Sequence, residues 1–215
     1  MSFKVLELFA GTRCISKEFE KNGAEVYTVE WDKSFDSISL YADVQYLTVE
    51  DVFNLCNGKP NVIWASPDCT TYSLAAISHH RIKVNGVIAA KSEYAMKCYM
   101  VNSNLIKLIS VINPDYWFIE NPRGCLRKML FMQGLPRYTV TYCQYGDDRM
   151  KPTDIWTNHP NPQFKPPCHY GDKCHIATPR GSKTGTQGLK NSKERSKIPV
   201  ELCKHIVKIT MGKYE

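Results

Sequence analysis

The sequence predicts an α/β fold: a doubly wound, mostly parallel sheet with helices on both faces, and behind it a small irregular C-terminal extension. Short apolar runs alternate with helix-like stretches as far as about residue 120, the pattern of strands joined by crossover helices. Each run ends in a turn-forming cluster, and the ends of parallel strands are where an open sheet holds its ligands. Beyond about residue 157 the alternation stops.

The elements follow in order. Residues 3–9, Phe-Lys-Val-Leu-Glu-Leu-Phe, read as a buried strand that turns at Ala10-Gly11-Thr12. A helix over 15–21 closes at Asn22-Gly23, where glycine suits the left-handed position after a helix. A second strand, 25–29, ends at Glu30-Trp31-Asp32, and 62–66 reads as another buried strand. Residues 105–109 are helical, and a further strand, 116–119, follows Asn113-Pro114-Asp115. Pro160, Pro162, Pro166 and Pro167 then break any regular element, and 178–197 lack apolar periodicity. A last helix is expected from Pro199 to about Met211, with Val200, Cys203, Ile206, Val207 and Thr210 on one face. The expected division is a core over 1–156, a short basic Pro- and Gly-rich region over 157–197, and a helix over 198–215 that packs back on the core.

Composition bounds the possibilities. A chain of 215 residues with 43% hydrophobic and 23% charged side chains can bury its own core. Nine scattered cysteines are an odd number, which reads as reduced thiols rather than a disulfide framework. No apolar run approaches the ~20 residues of a membrane span, and the start enters a strand directly, so the expectation is a cytoplasmic monomer without leader or membrane anchor. Residues 151–215 hold 12 Lys/Arg against 5 Asp/Glu, whereas 1–150 hold 16 of each, so the net charge of +7 belongs to the last third. A polyanion partner there gains by counterion release, although a solvated basic surface gives the same composition.

The strand ends carry the chemistry. Gly11 stands alone where a dinucleotide site wants G-x-G-x-x-G, which disfavours nicotinamide or flavin and suits a smaller adenosyl ligand; in isolation it is an ordinary tight turn. Glu30, about twenty residues on, is placed to accept from two ribose hydroxyls, and Trp31 offers a flat face to a purine. Asp43 suits an exocyclic amine. Cys69, in a proline-containing turn just past a buried strand, is positioned as a nucleophile. Glu120 closes the next strand. If these strands are neighbours, the two share one pocket as an acid and nucleophile for conjugate addition to a ring.

Leu8-Phe9-Ala10-Gly11, Glu30-Trp31-Asp32-Lys33, Ala42-Asp43-Val44, Pro67-Asp68-Cys69-Thr70-Thr71-Tyr72-Ser73, Glu120-Asn121-Pro122 and Tyr145-Gly146 resemble, in that order, motifs of the cytosine-5 DNA methyltransferases. The likeness covers roughly residues 3–156, and 195–199 with the last helix resemble the family's closing motif. Small viral members, with Lys-Pro-Thr-Asp-Ile-Trp and Gly-Thr-Gln-Gly-Leu stretches, are the nearest in pattern, which suggests a phage or restriction-modification setting. The resemblance implies the S-adenosylmethionine-dependent methyltransferase fold, with the cofactor held by Phe9, Ala10, Gly11, Thr12, Glu30, Trp31, Asp43, Val44 and Pro67. It implies Cys69 as nucleophile toward C6 of a cytosine flipped from double-stranded DNA, with Glu120 on N3.

The departures are specific. Asp68 replaces a proline beside the nucleophile and should raise the thiol pKa unless it is turned away. The family's Gln-x-Arg-x-Arg is matched only by Lys151 and Thr153, with Arg149 as a spare cation. No large recognition domain fits between Trp156 and Lys197. Lys165, Lys173, Arg180, Lys183, Lys190, Lys193, Arg195 and Lys197 suit phosphates rather than base edges, so the expected target is short, two to four base pairs at most. Alternatives from other classes are a non-catalytic nucleic-acid-binding relic, methylation of RNA cytosine, and methylation of an exocyclic base amine. The last wants an aromatic ring where Cys69 stands. Residues 74–92, with His79, His80, Arg81 and Lys83, are expected as a mobile loop over the base, or equally as a solvated basic loop. Cys168-His169 and Cys174-His175 are a conceivable zinc set, but without C-x-x-C pairs they are read as reduced thiols in a proline-rich loop, and no metal is assigned.

Overall fold

The computed structural model describes residues 2–177 and 191–212. In chain order the elements are β1 (Lys4–Leu8), α1 (Cys14–Lys21), β2 (Glu25–Glu30), β3 (Leu40–Tyr41), α2 (Val49–Leu55), β4 (Val62–Ala65), α3 (Ile77–His80), β5 (Arg81–Val84), β6 (Val87–Ala90), α4 (Glu93–Ile112), β7 (Tyr116–Pro122), β8 (Arg137–Thr141), β9 (Pro152–Thr157), α5 (Ser192–Ser196) and α6 (Val200–Met211). Seven strands form one sheet in the spatial order β3-β2-β1-β4-β7-β9-β8; only β9 runs antiparallel, inserted between β7 and β8. The strand order reverses between β1 and β4, which is the crevice where such a sheet takes its ligand.

Alternation along the strands sends side chains to two cores. Leu6, Leu8, Ile63 and Trp156 meet Leu105 and Ile109 of α4 on one face. Val5, Trp64 and Phe118 meet Ile15 and Phe19 of α1 and Leu202 and Ile206 of α6 on the other. The last helix therefore packs on the sheet, with Cys203, Ile206, Val207 and Thr210 buried; Val200, expected on that face, is 56% exposed in the first turn.

The helix ends are locally encoded. Thr48 and Asp51 form a reciprocal capping box at α2, and Ser92 accepts from the Ala95 amide at α4. Asn113, left-handed with φ 48°, stops α4 before Pro114. The expected mobile loop at 74–92 is instead a helical turn and a β5–β6 hairpin. Asn85 and Gly86, at φ 48° and 84°, make the two-residue turn. Arg81 is not a solvated cation but a buried anchor. Its Nε and Nη2 donate to the carbonyl and hydroxyl of Thr71, each at 2.9 Å, and its guanidinium lies 3.9 Å from the Tyr72 ring centre. Among the described residues, no helix is long and apolar enough to cross a membrane.

Glu7 joins β1 to α1. Arg13 occupies the N-cap position of α1, has no side-chain acceptor and lies at φ 56°. The cap is supplied from the sheet: a Glu7 carboxylate oxygen accepts from the Ser16 amide at 2.9 Å and from the Ser16 hydroxyl. Burial pushes Glu7 up from 4.5 to about 7, although the Ser16 hydrogen bonds oppose it. Because the folded pKa is raised, the associated stability is fully present below 4.5 and is lost as pH rises through about 7. Complete ionisation costs about 3 kcal/mol. Glu7→Gln keeps an acceptor for Ser16 and removes the titration. Its stability relative to the parent, from urea unfolding, should therefore rise between about pH 4.5 and about pH 8. A pH-independent difference would show that Glu7 is accommodated as the anion.

Candidate active site

After β1 the chain makes a tight turn in which Phe9, Gly11 and Arg13 all have positive φ, at 58°, 46° and 56°. Phe9 and Arg13 are unusual there, and such strain is characteristic of turns shaped for a ligand. The turn is fastened to the end of β2. The Gly11 amide donates to one oxygen of Glu30 at 2.9 Å, while the other oxygen accepts from the Trp31 and Asp32 amides at 2.9 and 3.1 Å. Glu30 is thus buried and fixed, and Trp31 is 65% exposed. Phe9, Gly11, Glu30, Trp31 and Phe35 line one side of a cleft of about 190 Å³; Ser66 and Asp68 line another, and Ile198 joins from the segment before α6. Ala10 and Thr12 also line it.

Asp43, Val44 and Pro67 stand outside that lining. Val44 is buried in the core. Asp43 accepts from the Gln45 amide at 3.0 Å and pairs with Lys97 at 2.9 Å, whose ammonium lies 5.6 Å from the Trp31 ring centre. Pro67 contributes through its carbonyl, which accepts from the Asn121 side chain at 2.8 Å.

The second half of the site hangs on β4 and β7, which are hydrogen-bonded neighbours with Ala65 opposite Ile119. Glu120, at the end of β7, and Cys69, four residues past β4, consequently feel each other's charge. The half-buried Cys69 thiol is pushed from 9.0 to about 11, first by burial and then by Asp68 and Glu120, with the Lys151 ammonium opposing. Asp68 does act on the thiol, but its carboxylate is engaged elsewhere, accepting from the Thr70 amide at 2.5 Å and the Tyr94 hydroxyl at 2.7 Å.

Glu120 is buried and accepts from the Tyr142 hydroxyl at 2.8 Å. Lys151 lies 4.4 Å from the Tyr142 ring centre and donates to the Arg195 carbonyl at 2.9 Å. Desolvation lowers its pKa, against the pull of Glu120. Thr153 is wholly buried, and its hydroxyl donates to the Lys151 carbonyl at 3.0 Å, holding the left-handed Lys151 backbone. Arg149 is committed to Asp147 by a two-pronged ion pair, so Lys151 is the cation of this pocket.

Tyr142, Tyr94 and Gly124 stand beside these residues and were not anticipated from the sequence; Arg81, expected on a loop over the base, is instead the buried anchor of the turn after Cys69. Asn121, beside Glu120, carried a positional signal. Of the basic residues expected on phosphates, Arg180, Lys183 and Lys190 lie outside the described residues. Lys165 donates to the Gln144 carbonyl, Lys193 to the Ser34 carbonyl, and Lys197 pairs with Glu194. The conceivable metal set is also revised. His169 is exposed and apart, and Cys143 takes its place, grouped with Cys168, Cys174 and His175.

No family model matches the chain, and no relative is found among curated proteins. Solved structures do share its architecture. The Dnmt2 methyltransferase of S. pombe is 12% identical with a TM-score of 0.52, covering 73% of this chain and 49% of its own. A DNA modification methyltransferase encoded within an E. coli prophage is 18% identical with a TM-score of 0.52, covering 73% and 46%. The methyltransferase EhMeth of Entamoeba histolytica is 14% identical with a TM-score of 0.51, covering 73% and 52%. The chain thus has the methyltransferase fold, and it spans about half the length of these structures.

Two outcomes test this geometry. Since the Cys69 thiol titrates at about 11, its alkylation by iodoacetamide, followed by peptide mass spectrometry, should accelerate nearly tenfold per pH unit up to about pH 10 and slow in Lys151→Met. A Cβ on Gly124 would meet the Tyr72 carbonyl at 2.6 Å, in the turn that follows Cys69. Gly124→Ala should therefore cost about 1–3 kcal/mol in urea unfolding and alter the Cys69 alkylation rate, whereas an unchanged rate would separate Gly124 from the nucleophile turn.

Proposed function

We propose that this protein is a methyltransferase that uses S-adenosylmethionine to methylate carbon 5 of cytosine in DNA. The observation that carries the reading is the continuity of one cleft: the turn and strand end suited to an adenosyl ligand, Gly11, Glu30 and Trp31, face Ser66 and Asp68 of the nucleophile turn. The donor set fits the cofactor. The Glu30 oxygen that accepts only from the Gly11 amide keeps acceptor capacity for a ribose hydroxyl, Trp31 is exposed beside the Lys97 ammonium, and the left-handed Gly11 lets backbone approach closely. When bound, the cofactor supplies an electrophilic methyl group.

Every other step belongs to this chain. Cys69 loses its proton to water, favoured by the charge of Lys151, and its sulfur adds to C6 of a flipped cytosine. Glu120, oriented by Tyr142, donates a proton to N3, which neutralises the charge displaced into the ring and leaves C5 nucleophilic as an enamine carbon. Once C5 is methylated, water takes its proton, the double bond re-forms with expulsion of the Cys69 thiolate, and the N3 proton returns to Glu120. Asn121 positions the turn through the Pro67 carbonyl and touches no reacting atom. Monomeric action, a core over 1–156 and a target of two to four base pairs complete the proposal, with basic residues of the last third binding phosphates.

The deciding experiment is incubation with cofactor and DNA containing 5-fluorocytosine. Fluorine cannot leave as a proton does, so a covalent protein–DNA adduct should persist on a denaturing gel for the parent and be absent for Cys69→Ser, which should still bind cofactor. Absence of an adduct with the parent, despite cofactor and DNA binding, would falsify the C5 mechanism. Adduct only with fluorinated RNA would redirect the substrate to RNA. Glu30→Ala should weaken cofactor binding by about 1–3 kcal/mol in calorimetry, and DNA binding should weaken steeply as salt rises.

A further inference from the structure

The region between β9 and α5 poses a physical problem. Residues 158–177 contain neither helix nor strand, and prolines interrupt them repeatedly. They nevertheless fold back on the end of β8. The Cys168 amide donates to the Thr141 hydroxyl and the Ile176 amide to the Asp148 carbonyl, each at 2.9 Å. Between these points the chain reverses in a turn closed by the His169 amide on the Asp172 carboxylate at 2.7 Å, with Gly171 at φ 96°. This reversal returns Cys174 and His175 to Cys168, and all three meet Cys143, which is distant in sequence and follows β8.

The four donor atoms lie within 4.8 Å of one another. Sγ of Cys174 is 3.6 Å from Sγ of Cys143, and Nδ1 of His175 is 3.7 and 3.6 Å from the sulfurs of Cys168 and Cys174. Around a tetrahedral zinc, with sulfur at about 2.3 Å and nitrogen at about 2.0 Å, ligand atoms stand roughly 3.5–3.8 Å apart. The Cys143–Cys168 pair, at 3.1 Å, needs only to open slightly, and all nine cysteines are free thiols. His175 Nε2 is buried without a partner among the described residues, so the ring is fixed only through Nδ1, the atom facing the sulfurs.

We propose that Cys143, Cys168, Cys174 and His175 bind one Zn²⁺ in a closed, structural site. Three thiolates and one imidazole in tetrahedral array select zinc over harder divalent ions and leave no position open for a substrate. The ion fastens the segment after β9 to the turn that carries Tyr142, the hydroxyl partner of Glu120. It supplies the cohesion that a proline-rich stretch without regular elements lacks. The site is independent of which reaction the cleft performs.

The test is metal content of the full-length protein, purified without chelator or affinity-tag metal, by plasma mass spectrometry. The expected result is one zinc per chain. Cys143→Ser and Cys174→Ser should lose it while His169→Ala keeps it; for Cys143 and His169 this is the reverse of what the adjacent Cys-His pairs alone would give. Co²⁺ added to chelator-treated protein should give the intense absorption of a tetrahedral thiolate site, displaced by Zn²⁺. Should the cysteine variants fail to fold, the stoichiometry of the parent and its cobalt spectrum decide alone. A metal-free parent that takes up no cobalt, or a Cys143–Cys168 disulfide found by peptide mapping in place of metal, overturns the proposal.

Discussion

The register of β4 on β7 is the constraint on which the site depends. With Ala65 opposite Ile119, the turn leaving β4 and the carboxyl ending β7 emerge side by side at the same edge of the sheet. A one-residue slip would send Glu120 to the opposite face and separate it from Cys69. The register is over-determined. Ile63, Trp64, Phe118 and Ile119 are wholly buried, on alternating faces, and the Asn121 side chain spans the two strand ends to the Pro67 carbonyl. β9 then locks β7 from its other side, with Thr153 opposite Pro122, which brings Lys151 to the same pocket.

Charge is the second constraint, and here the pocket is finely opposed. Two carboxylates, Asp68 and Glu120, and burial all disfavour a thiolate at Cys69, and one ammonium favours it. With the thiol at about 11, only about one molecule in a thousand carries the thiolate at pH 8. A bound positive charge would shift this balance toward the thiolate, whereas further loss of water from the pocket would shift it away. Tyr94 and the Thr70 amide matter in this context because they occupy the Asp68 oxygens and limit what that acid contributes.

Much of this was legible in the sequence, for identifiable reasons. Continuous apolar runs ending in turn residues revealed β1, β2, β4 and the start of β7, and so placed Gly11, Glu30, Cys69 and Glu120 at or just beyond strand ends, where an open parallel sheet holds its ligands. The β5–β6 hairpin was missed although Val84-Asn85-Gly86-Val87 is a strong hairpin signal; the histidines and lysines beside it read as a basic loop. The helix α2 was missed although Thr48-x-x-Asp51 caps it. Other features had no local signal. Tyr142 reaches Glu120 across 22 residues, and the Tyr72 carbonyl that leaves no room for a Cβ at Gly124 is 52 residues away. Cys143 belongs with Cys168 only through the packing of the chain after β9 onto the end of β8. Such juxtapositions are set by topology, and a reading that proceeds along the chain does not reach them.

The basic last third also builds the walls of the cleft. Lys151 is held by the carbonyl of Arg195, Lys193 donates to the Ser34 carbonyl and lies 4.3 Å from the Phe35 ring centre, and Ile198 lines the cleft beside Glu30 and Phe35. Residues 193–198 therefore reach both halves of the cleft at once, the turn after β1 by way of Phe35 and the Cys69–Glu120 pair by way of Lys151. A polyanion that draws Lys193 from Ser34 or shifts Arg195 displaces groups that face the cleft, so occupancy of the basic segment and arrangement of the reacting residues are linked through shared contacts.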